Sequence, residues 1–271
     1  MVIIREAIAN DSEVAVAVAV KRGASRAGPR DRQPDTRWIG AKPSVLIFDV
    51  NETLIDIESL KPLFQRVFGD ERVLRDWFGH LVMYSMTLTL SGLYKDYVSL
   101  GQGVFEMVGS IHNVKITSGD VNALKKAMLT MPAHADVKTG LKQLRDAGFR
   151  MVTLTNSPPN TGGKTPLENA GLARFFERQF SVEAARVFKP AQALYHMVAQ
   201  ELDVAPADCC MIASHVWDTI GAQCAGLSAG LITRSGNAPL PVPGLPQPNI
   251  VAPDLPALAA QAIELWNDDS K

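Results

Sequence analysis

Residues 44–50 form a short, almost unbroken apolar run that breaks off at a carboxylate, Asp49. Runs of this kind belong to strands buried on both faces, as in a parallel sheet covered by helices. Four more follow, at 149–154, 179–182, 208–213 and 229–233. Helical patterns at 136–146, 164–172, 190–202 and 217–225 alternate with them, and 254–267 reads as a closing helix. Strands alternating with helices predict βαβ units and an α/β fold built on a doubly wound parallel sheet. The Pro-rich stretch 234–248 reads as loop.

The interval after the first run breaks the alternation. Residues 59–130 carry helical periodicity alone: Leu60, Leu63, Phe64, Val67 and Phe68 recur at three- and four-residue steps, and a second pattern runs from Val73 to Leu93. A third spans Asp120 to Met131, with Ser118 as the expected cap. The segment reads as an inserted helical cap, 59–130, over a core of 43–58 and 131–271. Trp77, Phe78, Met83, Tyr84, Met86 and Leu90 would give it an apolar face for a lid. Residues 1–42 are different again, with eight basic and five acidic side chains and few large apolar ones after Val20. Such a stretch buries too little surface to offset its ordering entropy, so a disordered extension is expected.

Composition excludes several classes of function. The chain has 271 residues, 46% hydrophobic and 20% charged, with a net charge of −1. It can bury a sizeable core, and it lacks the global field that draws nucleic acid or an anionic membrane. No apolar stretch reaches the roughly 18 residues that span a bilayer. The three cysteines, two of them adjacent (Cys209, Cys210), cannot build a disulfide framework and suit a reducing compartment. A cytoplasmic protein with no nucleic-acid or membrane partner is expected.

Ligands of a doubly wound sheet bind beyond the carboxyl ends of its strands. Four such ends carry polar groups out of keeping with their apolar lead-ins: Asp49 with Asn51 and Thr53; Thr155 with Asn156 and Ser157; Lys189; and Ser214, His215 and Asp218. Singly, each has an ordinary explanation as turn chemistry, a helix start or a first-turn acid facing a helix dipole. In this order they are more specific. FDVNETLID (48–56), LTNSPPN (154–160), VFKP (187–190) and ASHVWD (213–218) resemble the four motifs of the haloacid dehalogenase superfamily. The chain is most similar to the type II L-2-haloacid dehalogenases, which carry a helical cap inserted after the first strand.

The resemblance implies a haloacid-dehalogenase-like Rossmannoid core, a homodimer, and hydrolysis of a small-molecule (S)-2-haloacid substrate without metal or other cofactor. Asp49 would be the nucleophile that forms an aspartyl ester. Lys189 would be its counter-ion and Asp218 the base for the water that cleaves the ester. Thr53 would hydrogen-bond the nucleophile region, Thr155 would take the substrate carboxylate and Asn156 would lie beside the leaving halide. Tyr195 and Trp217 match aromatic positions of the pocket, although core packing accounts for them equally well. Asn51, Ser214 and His215 complete the set of candidate binding residues.

Several positions depart from the superfamily. Its Mg²⁺-dependent phosphatases carry an acidic residue where this chain has Asn51, and another where it has Ser214. Both changes weigh against the alternative of a phosphatase of the same fold. Among the dehalogenases, a cap arginine cradles the departing halide, and its position falls on Leu88 here. No Arg or Lys occurs between Arg75 and Lys95. His215 stands in place of an Asn and Ala213 in place of a Ser. A protonated His215 would restore some of the missing positive charge, while a neutral His packed beside Trp217 would not. His80 is a further substitute on the cap. A catalytically weak member that binds small carboxylates is the remaining alternative.

Overall fold

The order of the strands places the chemistry. A computed structural model describes residues 42–159 and 162–267. Apart from Lys42, the extension expected at 1–42 lies outside the described residues. Among the described residues, six parallel strands form one sheet: β1 (Val45–Phe48), β2 (Arg150–Thr155), β3 (Arg178–Ser181), β4 (Cys209–Ala213), β5 (Ser228–Ile232) and β6 (Ile250–Ala252). Their order is β3-β2-β1-β4-β5-β6. The chain builds outward from β1 in one direction and then crosses to β4 on the other side. Between β1 and β4 it therefore leaves the crevice in which such sheets bind ligands. Register sets the two strand ends level there, since Val45 pairs with Cys209 and Phe48 with Ile212. Asp49 and Ser214 thus emerge close together. All four residues of β1 and all five of β4 are buried, as their apolar runs require.

The five strands expected from sequence are present, each within two residues of its predicted limits. The sixth was not anticipated. Ile250–Ala252 is only three residues long, too short to show a pattern behind the Pro-rich loop. The helix expected at 164–172 contracts to α6 (Pro166–Asn169), started by a Thr165–Glu168 capping box and followed by Gly171 in the left-handed region.

The 59–130 segment is helical throughout its longer elements: α1 (Lys61–Phe68), α2 (Val73–Leu90), α3 (Tyr97–Ile111) and α4 (Ser118–Leu129). The expected cap at Ser118 is corrected by one position. Thr117 is the cap, its side chain accepting from Asp120 N–H while Asp120 reaches back to Thr117 N–H. An aromatic cluster binds these helices together, with Phe64 5.5 Å from Trp77 and 5.5 Å from Phe105, ring centre to ring centre. Trp77 also donates its indole N–H to Gly101 O at 2.9 Å. Of the six side chains expected to form a lid, Trp77 is therefore inside the bundle, and Met83 and Leu90 face solvent.

The remaining helices, α5 (Val137–Asp146), α7 (Gln192–Glu201), α8 (Val216–Cys224) and α9 (Leu255–Asn267), flank the sheet. The helical insertion meets the carboxyl side of the sheet at defined points. Thr89 Oγ1 accepts the Phe188 N–H, Tyr94 and Tyr97 pack on Phe188, and Phe78 lies over His215. No helix of the described residues is long and apolar enough to cross a membrane.

Candidate active site

Asp49, one residue beyond β1, is 4% exposed, and its two oxygens have different partners. Oδ1 accepts from Lys189 Nζ at 2.8 Å, and Oδ2 accepts from the Thr53 hydroxyl at 2.6 Å. Thr53 is itself fixed, because its hydroxyl oxygen accepts the Ser214 N–H at 2.9 Å. Arg234, which the sequence reading missed, donates to the Thr53 carbonyl at 2.9 and 3.3 Å and to Asp136 at 2.8 Å. The turn from Asp49 to Thr53 is thereby tied to β4 and to the loop after β5.

Lys189 is buried with its ammonium among three acceptors: Asp49 Oδ1, Asp218 Oδ2 at 2.6 Å and Leu154 O at 3.0 Å. Its main-chain N–H donates to Asn156 Oδ1 at 3.1 Å. The Trp217 ring lies 5.6 Å from the ammonium, a cation–π contact. On the far side, Gly221 of α8 leaves room for the Lys189–Pro190 segment. A Cβ at Gly221 would stand 2.4 Å from Pro190 Cβ and 2.9 Å from Tyr195 Oη.

The charges are coupled through that ammonium. Burial alone would raise the pKa of Asp49, but Lys189 and then His215 outweigh it and hold the carboxyl well below the usual range. Asp218 goes the other way. It is fully buried, and desolvation with the neighbouring Asp49 anion pushes its carboxyl up despite Lys189. Burial works against the ammonium of Lys189, yet the two carboxylates raise its pKa above the ordinary value. At neutral pH Asp49 is an anion held in place by a buried cation.

Asp218 has both oxygens engaged, Oδ2 by Lys189 and Oδ1 by the Tyr195 hydroxyl at 2.6 Å. It lies behind the lysine. Tyr195 is fully buried, and burial followed by Asp218 raises its phenol pKa. The cavity in front of Asp49 is narrow, with a volume of about 10 Å³, and is lined by Asn51, Phe78, Tyr97, Asn156, His215 and Trp217 together with Asp49 itself. Four expected binding residues, Asn51, Asn156, His215 and Trp217, therefore share one wall system with the nucleophile candidate. Four do not reach it, the first being Thr53, which is buried with its hydroxyl on Asp49 Oδ2. Ser214 is buried beneath Thr53, and Tyr195 contacts Asp218. The Thr155 hydroxyl accepts the Ser157 N–H at 3.1 Å, an ordinary turn contact, and lines a neighbouring apolar pocket with Thr153 and Phe180. Leu88 packs half-buried against the core rather than lining the cavity.

The open question over His215 is answered by a residue absent from the sequence reading. Glu52 is 2% exposed and sits at φ +66, a backbone region that side-chain-bearing residues seldom adopt. One of its oxygens meets His215 Nε2 at 2.7 Å, and the other is engaged by Arg75 from α2. Burial of the imidazole would favour the neutral form. The carboxylates of Asp49 and Glu52, the latter hydrogen-bonded to Nε2, overcome it and push the His215 pKa up to about 9. The same contacts with His215 and Arg75 lower the pKa of Glu52 against its own burial. His215 is stacked on Trp217 at 5.1 Å and covered by Phe78 at 5.6 Å. Its Nδ1 makes no hydrogen bond among the described residues and stands 3.7 Å from Asp49 Oδ2. The bland contact with Trp217 and the charged state coexist.

The donor set does not fit Mg²⁺, which demands a near-octahedral shell of oxygens. Lys189 already stands between Asp49 and Asp218, Glu52 is taken up by His215 and Arg75, and Asn51, donating to Ser157 Oγ at 3.2 Å, supplies no anion. Among the described residues no cluster of three or more His, Cys, Asp or Glu is arranged to hold a metal.

A parallel sheet with a buried carboxylate on the turn after its central strand and a buried lysine opposite defines a class of α/β hydrolytic site. A family model for haloacid dehalogenase-like hydrolases matches residues 43–226, and the chain belongs to that family. The (S)-2-haloacid dehalogenase 4A of Burkholderia cepacia is 25% identical over 195 residues, covering 71% of this chain and 84% of the relative. The (S)-2-haloacid dehalogenase 1 of Pseudomonas sp. (strain CBS-3) is 27% identical, with 69% and 83% covered. The phosphoglycolate phosphatase of Colwellia psychrerythraea is 26% identical, with 71% and 85% covered. In fold, the chain is similar to the L-2-haloacid dehalogenase of Xanthobacter autotrophicus with chloropropionic acid covalently bound, at a TM-score of 0.72 and 24% identity, covering 80% of this chain and 97% of that one.

Proposed function

We propose that this hydrolase cleaves the carbon–halogen bond of small (S)-2-haloacids through an ester on Asp49, with no metal. The observation that carries the reading is the pairing of Asp49 with Lys189 at the edge of a small, largely aromatic cavity. A carboxylate kept ionised and oriented in a water-poor space is a nucleophile, since it has little solvent to shed before attack. One oxygen of Asp49 attacks C2 and halide leaves with inversion. Water then attacks the Asp49 ester carbonyl, and the 2-hydroxy acid departs. The four helices α1–α4 serve as the cap that excludes bulk water, contributing Phe78 and Tyr97 to the cavity.

Asp218 fixes the lysine, which both neutralises the resting nucleophile and steadies the oxyanion of the second step. His215 suits the role of base for that step better than Asp218, because it lines the cavity beside Asp49 and its Nδ1 makes no hydrogen bond, whereas both oxygens of Asp218 are engaged. In the free enzyme the imidazolium supplies the positive charge that no cap arginine provides. Esterification removes the charge of Asp49, one of the two anions that retain the proton on His215; the imidazolium then gives up that proton to solvent as the halide departs, and the neutral imidazole can accept a proton from the attacking water. That proton passes to the alkoxide oxygen of the departing hydroxy acid. The phosphatase alternative is disfavoured by the poor Mg²⁺ donor set.

The test is halide release from (S)-2-chloro- and (S)-2-bromopropionate with chelator present, followed by a single turnover in ¹⁸O-water. Halide release that disappears in Asp49→Asn, with label in the Asp49 peptide, supports the reading. Phosphate release that requires Mg²⁺, or saturable binding of haloacids with no halide at high enzyme concentration, refutes it.

A further inference from the structure

Arg75 and Glu52 have no role in the family motifs quoted above, yet they complete a charged chain that begins at the nucleophile. Arg75 stands in the first turn of α2 with its side chain about a third exposed. It is bonded to Glu52, to Glu58 and, at 3.0 Å, to the carbonyl of Ser235. Glu52 is pinned at the main chain as well. Its N–H donates to Ile55 O at 2.9 Å, and its carbonyl lies 3.0 Å from His134 Nε2. The carboxylate therefore cannot swing away without losing both neighbours, His215 on one oxygen and Arg75 on the other. Three residues after Arg75, on the same face of α2, Phe78 covers the His215 ring. Helix α2 thus touches the Glu52–His215 pair at two points.

We propose that Arg75 is a positioning residue for the hydrolytic half of the reaction: by occupying one oxygen of Glu52, it confines that carboxylate to orienting His215 and keeps it from retaining the proton that His215 must give up. The proposal rests on the reading of Asp49 and His215 given above. Its physical content is a charge balance. His215 is faced by Asp49 and Glu52 from the turn after β1, by Trp217 from α8 and by Phe78 from α2, and Tyr97 of α3 lines the same cavity. Lys189 neutralises the far oxygen of Asp49. Beyond Glu52 stand Arg75 and then Glu58, which is shared with Lys61. His134 lies against the Glu52 carbonyl, and burial followed by the nearby Arg234 lowers its pKa, so it adds no charge at neutral pH. Removing Arg75 leaves Glu52 with the imidazolium as its one close cation. The pair must then hold its proton more tightly.

The experiment follows the His215 ring directly, by histidine-labelled NMR of the full chain through pH 6–10, with His215→Gln used for assignment. In Arg75→Gln the midpoint should rise by at least roughly half a pH unit, and Arg75→Lys should return most of that shift. The surface variant Glu58→Gln frees Arg75 for Glu52 and should move the midpoint downward, which keeps the proposal testable should Arg75→Gln fold poorly. Midpoints that coincide with wild type in all three variants, or that move in the opposite directions, overturn it. Where halide release is measurable, the acidic limb of its kcat profile should move with the titration. A chain that releases no halide removes the dehalogenase reading, while the titration still decides the role of Arg75.

Discussion

Replacing Lys189 with Met removes a buried charge and little volume, so its cost is largely electrostatic. In the native protein the ammonium satisfies Asp49, Asp218 and the Leu154 carbonyl at 2.8, 2.6 and 3.0 Å. Breaking a buried pair by deleting one partner costs about 3–5 kcal/mol. Two buried carboxylates without a cation cannot both stay ionised, and Asp218 is the one already pushed toward its neutral form. In Lys189→Met it should be protonated when folded and ionised when unfolded. The folded pKa then lies above the unfolded one, so the variant is favoured at low pH and loses stability as pH rises. The difference from wild type should grow by about 1.4 kcal/mol per pH unit between pH 5 and 7, the value for one proton. At pH 7 it should reach the full 3–5 kcal/mol or so, and at pH 5 fall by more than half. Urea unfolding of both proteins at pH 5, 6 and 7 measures this. A difference below about 1 kcal/mol at pH 7, or one that does not change with pH, would refute the account of Lys189 as the cation both carboxylates depend on.

His215→Gln keeps a polar side chain of similar reach but removes the proposed base. Wild type should turn over, whereas the variant should release one halide per chain, retain the ester on Asp49 by mass, and slow about 10²- to 10⁴-fold thereafter. Ester trapped in Asp218→Asn instead, with His215→Gln turning over normally, would return the role of base to Asp218. His215 also carries a stability signature. With its folded pKa raised to about 9 from the ordinary 6.5, its contribution is complete below pH 6.5 and lost as pH rises through about 9. The wild-type advantage over His215→Gln should shrink by about 2–3 kcal/mol across that window, and equal pH dependence of the two in urea titrations would contradict the charged state.

The sheet was legible because buried parallel strands must be apolar on both faces, and five of the six announce themselves that way. The positions of Asp49, Lys189 and Asp218 followed from those strand ends and from the resemblance, and the three do meet around one ammonium. What sequence concealed was the direction in which polar groups point. Thr155 and Ser214 lie at the right strand ends, yet one closes a turn and the other supports Thr53 from beneath. Glu52 was hidden for a related reason. Between Asn51 and Thr53 it reads as a surface spacer, and only its left-handed backbone turns the carboxylate inward to His215. Arg75 lies 23 positions from Glu52 and is joined to it by packing that no local pattern records. Tyr97 on α3 was likewise invisible as a wall of the cavity.

The contact between Gly221 and the Lys189–Pro190 segment bears on how this site could be redesigned. The cavity walls are side chains, Phe78, Tyr97 and Trp217, borne on helices whose main chains are held by other contacts. They can be recut to admit a longer or bulkier acid while the lysine stays where it is. Gly221 has no such latitude, since even a methyl group would collide with Pro190 and Tyr195. A library meant to broaden substrate range should therefore vary the three walls and leave this glycine untouched, although it never meets the substrate.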